Sequence, residues 1–403
     1  MTDTERHQKY MHDQIIRVIE TIGPRESCSA QERHLAELLA NEWKPACDTV
    51  ETEPFTCHPR AFLGFFPIVV SCYLGALAFY WLFAPISALL ATVGVVLLAL
   101  EFARYRELID RFFPEGGSQN VIGRIKPRGE IKQRVIVSAH TDSAYEFIIW
   151  YLLRKASPFL MVGAGVAAIL LFGASVAKSV GLALGSGDAM AFQVLGIICV
   201  ALYPIVGVFF FFHVGTPVPG ALDDMSGLAV MSGLAKQLQE AKSAGKFFPE
   251  HTEVMLIAMG CEEAGLRGAK RYVARHLEEL RSTPTYGIFL DGIGDERFLT
   301  VVSNELCIGA RHSPELVRLA TEAAAEHGYP ILTKMIPLGA TDAAAFSLNG
   351  IPAVAILNQD VSGLPENYHT RLDTPERVRP EALGVTLRVV LSMIEKLDQR
   401  QCG

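Results

Sequence analysis

The chain has 403 residues, room for one large domain or two ordinary ones. Half of them are hydrophobic, the mean hydropathy is +0.27 and only 20% are charged, which is apolar for a soluble enzyme. The net charge of −7 and the lack of a basic run argue against a nucleic-acid partner.

In chain order, Met1 to Gln14 is polar, has no apolar core and does not read as a signal peptide. Arg6 to Ile22 has the apolar spacing of a helix, and Ser29-Ala30-Gln31-Glu32 is a capping-box pattern opening a second. Thr49–Phe55 reads as a strand. From Ala61 to Leu100 there is no charged residue, about twice the ~20 residues of one bilayer crossing. Pro85 suits the first turn of a second helix, so the run is predicted to hold helices over 61–81 and 84–103. Strands follow at Asn120–Ile125 and Arg134–Ser138. Two further apolar runs span Pro158 to Ala177 and Ala189 to Val214, with a kink expected at Pro204 and a short loop at Lys178 to Asp188. Beyond them, strands Val254–Met259, Tyr286–Leu290, Phe298–Val302 and Ala353–Leu357 alternate with helices Met225–Ala241, Gly265–Leu280, Pro314–His327 and Pro375–Leu397.

This pattern predicts a three-layer α/β/α sandwich with a mostly parallel central sheet, plus four transmembrane helices in two inserted hairpins. The expected division is a discontinuous polar domain (1–60, 104–156 and 215–403), hairpin one (61–103) and hairpin two (157–214). Two hairpins return the chain to its starting side of the bilayer. Arg60, Arg104, Arg106, Arg111, Arg154 and Lys155 flank the runs on that side, against Lys178 alone on the other, so the positive-inside bias places the polar domain in the cytoplasm. The eight cysteines show no Cys-x-x-Cys spacing, and Cys72 and Cys199 fall in apolar runs, which fits a reducing compartment.

Five acidic or histidine motifs fall at predicted strand ends or in the loops after them, where α/β folds gather catalytic groups. The Val135–Ser138 strand runs into His140-Thr141-Asp142, and an acid two residues on can fix the tautomer of a ligating histidine. Gly220-Ala221-Leu222-Asp223-Asp224-Met225-Ser226-Gly227 precedes a helix; its acids suit caps as well as metal ligands. Met259-Gly260-Cys261-Glu262-Glu263 brings two glutamates off a buried strand, one able to bind metal while the other takes a proton from water. Asp291 ends another strand, and Tyr368-His369-Thr370-Arg371-Leu372-Asp373 lies in a loop before the last helix. Each motif alone is equally at home in a polar loop; together they form a donor set that suits zinc.

The order His-x-Asp, Gly-Ala-x-Asp-Asp-x-Ser-Gly, Glu-Glu-x-Gly-Leu-x-Gly, Asp-Gly-Ile-Gly, Tyr-His-Thr resembles the family-twenty-eight zinc metallopeptidases, which include co-catalytic aminopeptidases, glutamate carboxypeptidases and glutaminyl cyclases; Gly23-Pro24-Arg25 also resembles that family. The resemblance implies two zinc ions, one held by His140 and Glu263, the other by Asp291 and His369, with Asp223 bridging. It implies Glu262 as general base, Asp142 orienting His140, and Tyr368 stabilising the tetrahedral oxyanion. Asp224 departs from the asparagine of many relatives and adds charge beside the metals. The loop after His140, short in the family, is expanded here from about Ser143 to Thr216.

The expected function is thus a membrane-embedded aminopeptidase acting on short peptides. Carboxypeptidase or glutaminyl cyclase activity on the same scaffold, and a non-catalytic membrane scaffold, are the alternatives. The expected partners are a peptide substrate and the lipid bilayer; nothing in the sequence sets the peptide end attacked or the oligomeric state. Because hairpin two follows the His140 strand directly, the active site is expected to open near the bilayer and to favour hydrophobic peptides; the alternative is that the hairpins only anchor the domain or pair it with another subunit.

Overall fold

The computed structural model describes residues 3–187, 189–244, 246–329, 331–359 and 367–401. Met1 at the head of the polar N-terminal stretch, Asp188 at the end of the expected loop, and Cys402 lie outside these residues. The chain forms two compact units. One comprises residues 1–59, 115–146 and 217–403, and the other residues 60–114 and 147–216.

The strands in chain order are β1 (Thr49–Cys57), β2 (Gly116–Ile125), β3 (Gln133–His140), β4 (Tyr145–Phe147), β5 (His213–Pro217), β6 (Thr252–Met259), β7 (Thr285–Asp291), β8 (Leu299–Glu305), β9 (Ala310–Arg311), β10 (Leu332–Ile336) and β11 (Ala353–Asn358). In the first unit a nine-stranded sheet has the order β1-β2-β6-β3-β7-β11-β8-β10, with β9 beside β8. Its centre, β6-β3-β7-β11, is parallel throughout, while β1-β2, β2-β6 and β11-β8 pair antiparallel. A mixed α/β fold with a mostly parallel core is therefore what the alternation of elements builds. The central strands are buried end to end, as in Val135–Val137 and Val254–Met259, which is what a sheet covered on both faces requires. One apolar layer packs helices Asp3–Thr21, Ser226–Ala244, Pro314–Glu326 and Pro380–Gln399 against the sheet through Met11, Ile15, Leu228, Met231, Leu319 and Val390. The other packs helix Arg267–Ser282 and the short helix Ala343–Ser347 through Tyr272, Val273 and Phe346.

Two closures in this unit matter later. Cys57 and Gly116 face each other at the last β1–β2 pair. The Val218 amide donates to the Ala144 carbonyl at 2.8 Å, and Ser143 Oγ donates to the Val218 carbonyl at 2.9 Å.

In the second unit, helix Ala61–Leu82 is followed by Ala84–Leu97, which continues as a π-helical turn over Leu98–Ala103. Helix Ser157–Ala183 runs through Lys178, correcting the loop expected there. Lys178 is buried, and its ammonium donates to the Tyr80 carbonyl at 2.8 Å, satisfying an orphan acceptor in the last turn of Ala61–Leu82. The fourth run forms helix Met190–Ala201 and a continuation over Tyr203–Phe211, bent by 41° beside Pro204, which has no amide hydrogen to carry the ladder across the break. Among the described residues, three helices are long and apolar enough to cross a membrane, or four if the bent pair counts as one span. Polar side chains tie these helices together: Tyr73 donates to the Cys199 carbonyl at 2.8 Å, and Ser87 bonds both Ala76 and Ser175. Only 22% of the residues in the most apolar stretch of Ala84–Ala103 are buried, and Leu89, Phe159, Ile169, Ile197 and Met190 stand exposed.

Candidate metal centre

Three neighbouring strands of the parallel core end at one edge of the sheet and deliver acidic or histidine side chains there. β3 ends on His140, β7 ends on Asp291, and β6 runs into Gly260-Cys261-Glu262-Glu263. Asp223 comes from the tight segment Ala221–Met225, and His369 from the loop before the last helix. Gly220 makes the first approach possible. Its φ is +69°, and a Cβ there would lie 2.6 Å from Ser143 Cβ.

The Asp223 carboxylate is the hub. Its Oδ1 lies 2.9 Å from His140 Nε2, and its Oδ2 lies 3.0 Å from His369 Nε2. His369 Nε2 is also 3.1 Å from Glu263 Oε1. Donor atoms of His140, Asp223 and Asp291 all lie within 4.8 Å of one another, as do those of Asp223, Glu263 and His369. The five expected ligands thus come together, and their donor atoms group around Asp223 in a different partition from the expected one. His140 shares Asp223 with Asp291, and Glu263 shares it with His369; His140 and Glu263 group only in company with Glu262.

The charge balance of the cluster suits cations. Burial pushes the Glu262 and Asp291 carboxyls up, Asp291 to about 7, and the surrounding carboxylates add to it. Burial drives the His140 and His369 imidazoles down, but the acids outweigh it, holding His140 well above its usual range and His369 at about 10. A cage that pulls protons onto its histidines carries negative charge in excess, which divalent ions neutralise in the same positions. Zinc bonds to nitrogen and oxygen are about 2.0–2.2 Å long, so two donors on one ion sit roughly 3–3.5 Å apart. The observed N···O spacings of 2.9–3.1 Å are close to that, and the residues fit zinc.

Around this set, neighbours fix position. The Asp142 backbone carbonyl lies 3.1 Å from His140 Nδ1, and its carboxylate Oδ1 3.4 Å. The carboxylate's closer contacts are elsewhere: it accepts from the Glu262 amide at 3.0 Å, the Glu263 amide at 3.1 Å and the Ser27 hydroxyl at 2.6 Å. Asp142 therefore sets the Glu262–Glu263 turn as well as the imidazole. Asp224 turns from the cluster and accepts from the amides of His140 (3.2 Å), Gly227 (3.0 Å) and Gly292 (3.2 Å). Using both carboxylate oxygens this way explains why an acid is accommodated where asparagine was expected. The Tyr368 ring stacks on His369 with centroids 3.8 Å apart.

Sequence reasoning assigned no role to four residues here. Asp373 accepts from the amides of Leu222 (2.6 Å) and Asp223 (3.1 Å) and so holds the hub's backbone. Arg25, fully buried, donates to the carbonyls of Thr141, Gly23, Pro219 and Gly220. Glu32 was read as half of a capping box. Ser29 does cap the helix, but the Glu32 carboxylate points inward and accepts from the amides of Cys28 and Cys261 and from Ser118 Oγ. Asp342 is buried with both carboxylate oxygens unpartnered; burial pushes it up to about 8, and it acts electrostatically on Glu262. Its only sequence signal was an acid ahead of the Ala343–Ser347 helix.

Residues 209–394 match the model of Peptidase family M28. Aminopeptidase YwaD of Bacillus subtilis (strain 168) is 29% identical over 170 residues, 41% of this chain and 35% of that protein. The chain thus spans about a third of the length of the curated relative it matches. Among solved structures, a zinc aminopeptidase from Bacillus subtilis aligns with a TM-score of 0.57 at 18% identity, covering 97% of this chain and 95% of that one. A glutaminyl cyclase from an Acidobacteriales bacterium aligns with a TM-score of 0.57 at 14% identity, covering 98% and 95%. An aminopeptidase from Aneurinibacillus sp. strain AM-1 gives 0.56 at 17% identity, covering 97% and 94%. At these identities the structural likeness speaks for the fold.

Proposed function

We propose that this chain, a relative of Peptidase family M28 by its motifs, its family match and its fold, is a two-zinc aminopeptidase held in a membrane. The observation that carries the reading is the Asp223 carboxylate, which meets one imidazole at each oxygen and is shared between two donor groups. His140 and Asp291 would hold one zinc, Glu263 and His369 the other, and Asp223 both. When bound, zinc supplies the Lewis acidity that polarises a scissile carbonyl and makes water a nucleophile at neutral pH. Glu262 accepts the proton from the attacking water and returns it to the leaving amine. Asp142 fixes the Glu262 backbone during that exchange, and the Tyr368 hydroxyl donates to the oxygen that gains charge at the carbonyl carbon.

The charges favour the amino end of a peptide. The strongest electrostatic influences on Glu262, Glu263 and Asp291 are histidines and other carboxylates. Arg25 is spent on four backbone carbonyls, and Arg371 is bound to Glu146 at 2.7 Å. With zinc offsetting the ligand carboxylates, neither of these arginines is left to pair a free carboxylate, and Asp342 is placed to attract an ammonium. The test is a screen of short peptides blocked at either end. Cleavage of amidated but not of acetylated peptides is expected; the opposite pattern means a carboxypeptidase. Cyclisation of N-terminal glutamine with no cleavage means a glutaminyl cyclase, an activity that the fold also hosts.

The peptidase domain comprises 1–60, 104–156 and 215–403 in this reading, with membrane hairpins at 61–103 and 157–214. Support comes from the apolar helices and from the large side chains they leave exposed, which an aqueous surface would not favour. With four crossings, the positive-inside bias of Arg60, Arg104, Arg106, Arg111, Arg154 and Lys155 favours a cytoplasmic peptidase domain in this reading. Short apolar peptides are the substrates an enzyme held in a bilayer would meet.

A further inference from the structure

Cys28, Cys57 and Cys261 come from the turn after the first helix, the end of β1 and the end of β6, yet their sulfurs meet. Cys28 Sγ lies 3.6 Å from Cys57 Sγ and 3.5 Å from Cys261 Sγ, and all three sulfurs fall within 4.8 Å of one another. Cys57 and Cys261 are buried, Cys28 is partly exposed, and Phe55 and Ala264 pack around them. With Zn–S bonds of about 2.3 Å, thiolates at tetrahedral corners sit roughly 3.7–3.8 Å apart. The observed contacts need only a slight opening to reach that spacing. Glu32 Oε1, 3.6 Å from Cys261 Sγ, stands at the distance of a fourth corner.

We propose that Cys28, Cys57 and Cys261 form a thiolate site for one zinc-class ion, separate from the histidine–carboxylate cluster. Binding releases the thiol protons to solvent and forms three metal–sulfur bonds, with no change of oxidation state. Three thiolates around a divalent ion leave one net negative charge. Arg267, itself buried, and Arg271 both act electrostatically on Cys57 and offset that charge. Cys261 immediately precedes Glu262, and its amide donates to Glu32, whose carboxylate also accepts from the Cys28 amide. An ion there would brace the turn that carries Glu262 and Glu263 against the N-terminal segment, without belonging to the reaction itself.

Cobalt(II) is the probe, because sulfur-to-cobalt charge-transfer absorption in the near ultraviolet arises from thiolates and not from the histidine–carboxylate set. The purified full chain is stripped with a chelator under reducing conditions and titrated with cobalt(II). We expect this band to correspond to one thiolate-bound cobalt(II) per chain and to saturate within the three equivalents that the two centres together take up. It should be lost in Cys57→Ser and in Cys28→Ser, and kept in His369→Ala. Cys28 is the more exposed of the two, so its variant tests the site even if Cys57→Ser does not fold. The absence of the band, its persistence in both serine variants, or a Cys28–Cys261 disulfide in protein purified without reductant would each overturn the proposal. All three readouts are independent of peptidase activity.

Discussion

Asp142→Asn tests whether the Glu262–Glu263 turn is held by the carboxylate beneath it. The side chain is fully buried, accepts two backbone amides at 3.0 and 3.1 Å and accepts the Ser27 hydroxyl at 2.6 Å. An asparagine has one accepting oxygen, so its NH2 must face at least one of these amides. The change removes one charge-assisted bond, ~1.5–3 kcal/mol, and strands a buried N–H, ~1–3 kcal/mol, for a total of roughly 4 kcal/mol. At ~2–4 °C per kcal/mol for a domain of this kind, unfolding of the detergent-solubilised protein should come about 10 °C earlier. Ser27→Ala removes a single donor and should show roughly half that loss. A displacement of the proton acceptor by a fraction of an ångström should also lower kcat by ~10-fold or more at 20 °C, where the variant is still folded. Asp142→Asn within about 1 kcal/mol of wild type, with kcat unchanged, would refute the positioning role.

Glu262→Gln preserves volume but removes the proton acceptor, so turnover should fall by ~10²-fold or more while zinc content persists; near-normal turnover would remove Glu262 from the mechanism. His369→Ala should lose at least one zinc from the acid cluster by elemental analysis, and unchanged metal content would sink that ligand assignment. Burial raises Glu32 from 4.5 to about 8, with the charge of Asp142 adding to it. A raised folded-state value means that this contribution to stability is whole below 4.5 and is lost as pH rises through about 8. Between those limits, this one group should cost metal-stripped protein up to about 1.4 kcal/mol of stability per pH unit, a share of the total slope that Glu32→Gln should remove in thermal melts across the same range. For topology, in a background lacking the native cysteines, Ser186→Cys should react with an impermeant thiol reagent from outside the cell and Gln399→Cys should not; the reverse pattern moves the enzyme to the outer face.

Much of this architecture is legible from residue order because the physics is local. Continuous apolar runs such as Val135–Val137 and Val254–Met259 announce buried parallel strands, and the acids that follow mark where each strand meets the site. β10 escapes notice because Leu332 and Met335 are exposed on an edge strand, leaving no clear alternation. The last helix begins at Pro380 rather than Pro375, since Pro375 opens a separate 3₁₀ turn and Pro380 restarts the helix at a position that needs no amide hydrogen. Which donor atoms meet around Asp223 depends on how strands and loops are brought together, and spacing along the chain does not carry that. The convergence of Cys28, Cys57 and Cys261 is invisible for the same reason: the sheet joins them, not any motif. Arg25 shows the remaining limit, because a buried arginine serving four carbonyls looks in sequence like any surface cation.

The Cys57–Gly116 strand pair and the Val218–Ala144 hydrogen bond mean that, seen from the first unit, each apolar insert starts and finishes at the mouth of a turn. A turn is the one place where chain can be added without shifting register, and lengthening it adds only slowly to the entropy of closure. Each insert could therefore be added independently, without disturbing the strands that end on His140 and Asp291. The same logic runs backwards for an engineer. Replacing 60–114 and 147–216 with short glycine-containing linkers should ask nothing new of the sheet, making the soluble enzyme a matter of two edits at positions that are already closed.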